Sequence, residues 1–203
     1  MSSSLEHGAG RLGAEALAQL FLEARTHNGW LPKDVPDALL REAVEICRWG
    51  PTSANCQPLR IVFVRSTDAK AKLAPALLEG NRAKTLAAPA TAILGYDLAF
   101  HDHLPRLYPA TDARSWFVGN DALIEETAFR NGTLQAAYFL IALRAVGLDA
   151  GPMSGFDKAA VDGAFFSGTS VRSNFLVNIG YGDPAKLYPR GQRFDFDEIA
   201  GIV

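Results

Sequence analysis

The stretch of sequence that decides the fold is Trp49-Gly50-Pro51-Thr52-Ser53-Ala54-Asn55-Cys56-Gln57-Pro58. It follows a helical pattern over residues 37–48 and precedes the apolar run 60–64, which predicts a buried strand. Gly50 and Pro51 end the helix, and Pro58 prevents the loop from continuing as a helix. The loop between these residues carries hydroxyls and amides but no charge. Taken alone, it is typical of a polar helix-to-strand connector, and only the rest of the chain favours a binding loop.

Composition bounds the class of protein. The chain has 203 residues, of which 48% are hydrophobic and 21% charged, and this predicts a single globular domain over residues 1–203, with 1–12 as a flexible arm. A net charge of −2 gives no electrostatic sign of a nucleic-acid or membrane partner. We find no signal-peptide pattern and no apolar run of the ~18 residues that a membrane span needs. We therefore expect a cytoplasmic protein.

Helix and strand patterns alternate along the chain. The periodicity predicts helices over residues 14–24, 37–49, 69–78, 123–146 and 158–166, and strands over 60–65, 90–95 and 175–180. Residues 134–146 are apolar nearly all round, which predicts a helix buried on every side. Residues 149–155 are interpreted as a connector into the next helix. Residues 98–120 have weak periodicity and are typical of a lid or an irregular helical excursion.

Two cationic clusters are candidate anion sites. Arg25 is followed by Thr26, His27 and Asn28 at the end of the first helix, and the second cluster, far away in sequence, is Arg190 with Arg193. Arginine suits a phosphate because its planar fork presents paired N–H donors and stays charged. The alternative is that these are ordinary surface arginines. The chain has no G-x-G-x-x-G and no P-loop, so the sequence does not support a Rossmann or nucleoside-triphosphate site.

The sequence gives little support for a metal site, a serine hydrolase or a reactive cysteine. His101 and His103 are two residues apart, do not share a helix face and have no third ligand nearby, so we expect no metal site. Ser115 and Ser154 lack the G-x-S-x-G context of a serine hydrolase. Cys56 could be mildly reactive, but such a residue is more often small packing.

Several segments, in order along the chain, resemble the nitroreductase family. They are residues 25–28, the loop 51–58, residues 80–84, residues 154–157 and the arginines at 190 and 193. The loop is the most specific of them, and the resemblance covers about residues 14–203. Within the family, residues 26–30, 50–56, 112–117 and 151–157 resemble the branch named for malonic semialdehyde reductase.

The resemblance implies a fold and an activity. The fold would be an α+β sandwich, with a central, mostly antiparallel sheet flanked by helices, in a homodimer of the domain-swapped type with shared FMN sites. The activity would be ping-pong hydride transfer from NAD(P)H through FMN, reducing malonic semialdehyde to 3-hydroxypropionate in uracil (pyrimidine) degradation. The alternatives are a broad nitro or quinone reductase and a non-catalytic flavin-binding protein.

The resemblance also implies which residues hold FMN. They are Arg25, Thr26, His27, Asn28, Pro51, Thr52, Ser53, Asn55, Asn81, Lys84, Met153, Ser154, Gly155, Arg190 and Arg193. In this assignment arginines clamp the phosphate, residues 81 and 84 face the pyrimidine edge of the ring, and residues 154 and 155 approach its N5 atom. The loop 51–58 would reach the cofactor of the partner subunit.

The chain also departs from the family pattern. Many members have a glutamate where this chain has Ser154, and Arg190 and Arg193 are spaced one residue wider than is common, which leaves open which of them holds the phosphate. Trp116 and Phe117 are candidate substrate-side aromatics. Because the flavin carries the hydride, we expect no side chain to act as a catalytic acid or base.

Overall fold

Four strands form one sheet in the computed structural model, which describes residues 10–203. Residues 1–9, which hold most of the predicted arm, lie outside the described residues. The strands are β1 (Leu59–Val64), β2 (Ala90–Asp97), β3 (Asp149–Met153) and β4 (Val171–Gly180). Their order across the sheet is β1-β2-β4-β3, and every pair of neighbours is antiparallel. The predicted mostly antiparallel sheet is confirmed.

Within residues 10–203, eight α-helical segments connect and cover the strands. They are α1 (Ala14–Leu17), α2 (Asp37–Cys47), α3 (Thr67–Leu73), α4 (Glu79–Ala87), α5 (Leu104–Leu107), α6 (Asp121–Ala145), α7 (Lys158–Phe165) and α8 (Phe196–Ile199). A π-helical turn over Ala18–Leu22 continues α1. Short 3-10 turns lie at Ser53–Asn55, Ala74–Ala76, Phe100–His103, Ala113–Trp116 and Pro184–Lys186.

Helices pack on both faces of the sheet. Successive side chains of a strand point to opposite faces. Ala92 and Leu94 of β2 pack in one apolar cluster with α2 and α6, which contribute Leu40 and Phe139 among others. The intervening Ile93 packs in a second cluster with residues of α3 and α7. The layers are therefore helix, sheet and helix, and the predicted α+β sandwich is confirmed.

The prediction that residues 134–146 are buried on every side is wrong within the described chain. Leu134 is 42% exposed and Tyr138 is 39% exposed. The reason is that α6 covers the sheet with one stripe only, where Ala136, Phe139 and Leu143 are buried. The opposite stripe, although apolar, stays partly exposed among residues 10–203, with Gly50 packed against the ring of Tyr138.

Two elements were missed by sequence periodicity. Residues 149–153 form the strand β3 rather than a connector, because Pro152 is tolerated at the edge of a sheet although it interrupts the strand pattern. The predicted helix 69–78 ends early, at Leu73, where Pro75 forces a short 3-10 turn. A separate helix, α4, follows and carries Asn81 and Lys84.

No helix within residues 10–203 combines the length and apolar character required to cross a lipid bilayer.

Candidate functional site

The segment after α1 lies along the edge strand β3. The His27 amide donates to the Ala150 carbonyl at 3.1 Å, and Thr26 forms a parallel bridge with Ala150. A side chain at Gly151 would obstruct this approach, since its Cβ would lie 2.3 Å from the His27 carbonyl oxygen. The glycine therefore allows two backbones to meet, and this contact places Arg25, Thr26 and Asn28 beside the end of the sheet.

The His27 side chain has a different environment from its neighbours. Its imidazole is buried, with Nε2 3.3 Å from Asp149 Oδ1, and Asp149 Oδ2 also accepts the Gly182 amide at 2.8 Å. A Cβ at Gly182 would lie 1.9 Å from His27 Nδ1. The imidazole thus joins the segment to β3 and to the chain after β4. The imidazole packs inward and orients its neighbours, and the expectation that His27 binds FMN stays a prediction.

A cationic cavity of about 620 Å³ brings the two predicted arginine clusters together. Its described lining includes Arg25, Thr26 and Asn28 from one segment and Arg190 and Arg193 from the C-terminal segment. The Arg25 Nη2 atom donates to the Tyr188 carbonyl at 2.5 Å, which ties the two segments to each other. The described lining contains no carboxylate. Several guanidinium groups without an opposing acid are typical of an anion site.

Sequence reasoning missed a fourth arginine in this cavity. Arg144, near the end of α6, also lines it, and its Nη1 donates to the Leu20 carbonyl at 3.0 Å. Burial lowers the pKa of the Arg144 guanidinium. The sequence feature that could have indicated Arg144 is its position directly after the apolar run that ends at Leu143.

The two C-terminal arginines differ in how their donors are used. Arg193 Nη1 donates to the carbonyls of Gly191 and Gln192, at 3.1 and 2.9 Å. Arg190 makes no side-chain hydrogen bond within the described part of the chain. Its guanidinium is therefore the freer of the two to meet a ligand.

A row of polar groups extends from this cavity toward the end of β3. Lys84 Nζ donates to Asn28 Oδ1 at 3.0 Å, and Asn81 Nδ2 donates to the Gly155 carbonyl at 2.9 Å. Asn81 and Lys84 are three residues apart on α4 and so share a helix face. Burial removes part of the hydration of the Lys84 ammonium and so lowers its pKa. A nearby anion would restore part of that lost stabilisation.

A second cavity, of about 420 Å³, lies where β3 ends. It is lined by Pro152, Met153, Ser154, Lys158, Asn174 and Phe175. The Met153 sulfur accepts a hydrogen bond from Thr85 Oγ1 at 3.5 Å, which ties the strand end to α4. Ser154 is exposed, and its small side chain leaves the adjacent backbone accessible.

The polar loop 51–58 has an unusual backbone. Ala54, Asn55 and Gln57 have φ angles of 49°, 50° and 41°, in the left-handed region that residues other than glycine rarely adopt. Hydrogen bonds hold this conformation: the Ser53 amide donates to Asn131 Oδ1 at 2.8 Å, and Asn55 Nδ2 donates to the Leu107 carbonyl at 2.9 Å. Strained backbone that the surroundings enforce is common at functional sites.

This loop lies against α6 and α5. Within residues 10–203, the Ser53 backbone amide donates to Asn131, and the Asn55 side chain donates to the Leu107 carbonyl and accepts from Gln57 Nε2. Within a single subunit, the cationic cavity and the polar row are connected through the hydrogen bond between Asn28 and Lys84. Among the described residues, the side chains of the loop make no hydrogen bond to either of them.

The two predicted substrate-side aromatics differ. Phe117 is only 6% exposed, and its ring centroid lies 4.9 Å from that of Phe100, so it belongs to the core beneath residues 98–120. Trp116 is 51% exposed, beside Tyr108, and remains available to a ligand. In the part of the chain that the structure describes, no three His, Cys, Asp or Glu side chains converge as a metal site.

Both cysteines are expected to resist alkylation in the native protein. Burial raises the pKa of the Cys56 thiol, and that of Cys47, to about 11. At about pH 8 roughly one such thiol in a thousand is ionised, and only the thiolate reacts. Mass spectrometry after iodoacetamide treatment should show no adduct in buffer and two in denaturant. Rapid native labelling of Cys56 would contradict the packing described here.

Comparison with known proteins identifies the family. The model of the nitroreductase family matches residues 23–181, which include the segment at β3, the polar loop and the whole sheet. The chain belongs to the nitroreductase family. The resemblance expected from the sequence is thereby confirmed.

Relatives and solved structures agree with this membership. A Burkholderia lata protein, provisionally named an NADH dehydrogenase/NAD(P)H nitroreductase, is 67% identical over 94% of this chain and 98% of its own length. A Stenotrophomonas maltophilia protein with the same name is 62% identical over 95% and 98%. A nitroreductase-fold structure from Exiguobacterium sibiricum, in complex with FMN, has a TM-score of 0.82 and 19% identity, covering 95% of this chain and 99% of that one. These names agree with the FMN and NAD(P)H expected for this nitroreductase family member.

Proposed function

We propose that the protein is an FMN-dependent NAD(P)H oxidoreductase. The observation that carries the proposal is the continuous row from the cationic cavity through Lys84 and Asn81 to Gly155. One end of this row suits a phosphate, and the other suits a polar ring edge. When bound, FMN would accept a hydride from NAD(P)H and deliver it, in a ping-pong sequence, to the substrate.

Arginines would hold the phosphate end. Arg25 is fixed by Tyr188, so its remaining N–H donors are pre-oriented toward the cavity. Arg190 has a free fork and is the better candidate for the second phosphate ligand, while Arg193 and Arg144 add positive charge. Thr26 is exposed and supplies a hydroxyl. Charge-assisted hydrogen bonds of this kind are about twice as strong as neutral ones.

Lys84 and Asn81 would hold the ring edge. The Lys84 ammonium has lost part of its hydration and is held by the neutral Asn28 amide, so it retains its charge for a ligand. A fixed cation there stabilises negative charge that develops on the ring during reduction. Around Ser154 and Gly155, small side chains permit a flat ligand to approach the backbone amides.

A homodimer with shared sites would complete the constellation. The exposed stripe of α6, with Leu134 and Tyr138, and Trp49 near the end of α2 form an apolar surface that a second copy could cover. Residues 194–203, the tail that follows the arginines of the cationic cavity, carry exposed apolar side chains. Within the described chain, β1 is an open edge beside a groove of about 940 Å³. We propose that the tail of one chain docks there on its partner, in the domain-swapped manner. Sedimentation should then give twice 21.9 kDa.

Dimerisation would also explain the position of the loop 51–58. Pro51, Ser53 and Asn55 are exposed and Thr52 is half-buried, and the strained backbone of this loop is at Ala54, Asn55 and Gln57. In a dimer they would reach the FMN of the partner subunit. Two further expectations stay predictions: that residues 1–203 form a single domain, and that the protein is cytoplasmic.

For the substrate we propose malonic semialdehyde, reduced to 3-hydroxypropionate in pyrimidine degradation. The support is the uncharged Ser154 at the end of β3, since a serine leaves this cavity without the carboxylate that a glutamate would supply. An acidic aldehyde can then approach without repulsion. The alternative is a broad nitro or quinone reductase, which the names of the relatives favour.

The Ser154→Glu variant tests the role of the missing charge. A carboxylate beside the reacting groups should raise the KM for malonic semialdehyde about tenfold by like-charge repulsion. The kcat/KM for the neutral propanal should stay within about twofold, and Ser154→Gln serves as the size-matched control. Equal KM values for Ser154→Glu and Ser154→Gln would remove the support for an acidic substrate.

Anaerobic reduction tests the function itself. The purified protein should carry one FMN per chain, and its yellow colour should bleach on addition of NADH or NADPH. A panel of malonic semialdehyde, propanal, nitrofurazone and a quinone should then reoxidise it at different rates. Preference for nitrofurazone would favour the alternative, and yellow protein that does not bleach would indicate a non-catalytic flavin-binding protein.

A further inference from the structure

Among the described residues that line the cavity at the end of β3, one is charged. Of its six lining residues, Lys158 alone carries a charge, and Ser154 and Asn174 supply the other polar side chains. Its volume of about 420 Å³ exceeds what a three-carbon acid requires. The cavity is therefore a polar space with a single positive charge, beside the residues proposed to approach the reactive edge of the ring.

The charge of Lys158 has no acid to balance it. Lys158 is exposed, and within residues 10–203 no carboxylate lies within 4.0 Å of its ammonium, as is also true of Lys72. Lys158 differs from Lys72 because it lines this cavity. The two nearest acids along α7 are engaged elsewhere. Asp157 Oδ1 accepts the Ala160 amide at 3.1 Å, and Asp162 Oδ1 accepts the Ser173 amide at 2.7 Å.

Helix stability does not explain this lysine. Lys158 is the first residue of α7, where the positive end of the helix dipole disfavours a cation and favours an acid. A residue that breaks a local rule without a compensating contact is a candidate for a functional role.

The surroundings hold the backbone of Lys158 in place. Ser173 Oγ donates to the Lys158 carbonyl at 3.5 Å, so the first turn of α7 is tied to β4. On the next residue of β4, Asn174 Nδ2 donates to Thr133 Oγ1 at 2.7 Å, which fixes the amide at the cavity wall. The lysine thus extends from a rigid base on one side of the cavity.

We infer that Lys158 binds the carboxylate of the substrate in this cavity, which makes short aldehydes or ketones bearing a carboxylate the preferred substrate class. The inference rests on the proposed function and adds a specificity residue to it. The ammonium holds the acid end of the substrate, while the small, uncharged Ser154 leaves the carbonyl end free to reach the reactive edge of the ring. A neutral aldehyde lacks the first of these contacts.

Three variants test the inference in the FMN-loaded enzyme. Lys158→Gln should raise the KM for malonic semialdehyde about tenfold, while kcat/KM for propanal stays within about twofold. Lys158→Arg keeps the charge and should restore most of the affinity. Lys72→Gln removes an exposed lysine of α3 that does not line the cavity, and should match the wild type on both substrates.

Binding of a non-reducible acid provides a readout independent of turnover. Malonate should perturb the flavin absorption of the wild-type enzyme, and Lys158→Gln should weaken its apparent Kd about tenfold, whereas malonamide should show no such difference. The effect should shrink with added salt. FMN content and bleaching by NAD(P)H should stay unchanged in every variant.

The outcomes separate this inference from the proposed function. If Lys158→Gln bleaches normally and its KM for malonic semialdehyde and Kd for malonate equal the wild-type values, the assignment of Lys158 is overturned while the oxidoreductase proposal stands. If the wild-type protein binds no FMN or does not bleach, the proposed function fails first. A parallel loss on propanal would assign Lys158 a general structural role and also overturn the inference.

Discussion

Gly151→Ala should lower the free energy of unfolding by about 2–3 kcal/mol. The added methyl group would lie 2.3 Å from the His27 carbonyl oxygen, and that oxygen belongs to backbone that cannot rotate away as a side chain would. Relief requires the segment 25–30 to separate from β3. This would break the hydrogen bond from the His27 amide to Ala150, and would move Arg25 and Asn28 with the segment.

The matched control is Gly163→Ala. Gly163 lies inside α7, and a Cβ there would meet no atom within 4 Å. Alanine should therefore raise stability by about 0.5–1 kcal/mol through helix propensity. Urea unfolding followed by circular dichroism measures both variants, and FMN content reports on the moved segment. If Gly151→Ala proved as stable as Gly163→Ala, the close backbone contact would not exist.

Arg25→Ala should weaken FMN binding about 100-fold, equivalent to about 2.7 kcal/mol. The variant loses charge-assisted donors to the phosphate together with the Tyr188 contact that orients the C-terminal segment. Arg25→Lys should recover only part of the affinity, because an ammonium keeps the charge but lacks the planar fork. Fluorescence titration of the apoprotein with FMN measures the dissociation constant.

Two controls isolate the phosphate contact. Arg106→Ala removes an exposed arginine of α5 that does not line the cavity, and should leave FMN affinity unchanged. Riboflavin, which lacks the phosphate, should bind Arg25→Ala and wild-type protein about equally. Wild-type FMN affinity in Arg25→Ala would show that the cationic cavity is not the phosphate site.

Much of the fold could be predicted from the sequence because its strongest patterns are local. Period-two and period-3.6 spacing located β1, β2, β4, α2 and α6 to within a few residues. The edge strand β3 was missed, since Gly151 and Pro152 interrupt a strand pattern and only pairing with β4 makes them part of one. The helix α4 was missed because its apolar periodicity is weak.

In the candidate site, too, some residues could be predicted from the sequence and others only from the tertiary structure. Resemblance to the family indicated Arg25, Arg190 and Arg193, and the structure brings all three to one cavity. It could not indicate that Phe117 would be core or that the His27 imidazole would turn inward, because burial depends on which elements pack above a residue. Arg144 and Lys158 carried no motif at all, and only the cavities they line made them candidates.

By itself, the sequence determined the family, the α+β class and the chemical types available to a flavin site, because helix and strand periodicity and short motifs depend on neighbours along the chain. Only the tertiary structure decided which of those groups meet. It joined residues 25–28 to residues 188–193 and Asn28 to Lys84, and within the described chain it left the apolar stripe of α6 partly exposed. The physical reason is that convergence of charges and exposure of surface arise from packing between segments distant in sequence, which no local pattern encodes.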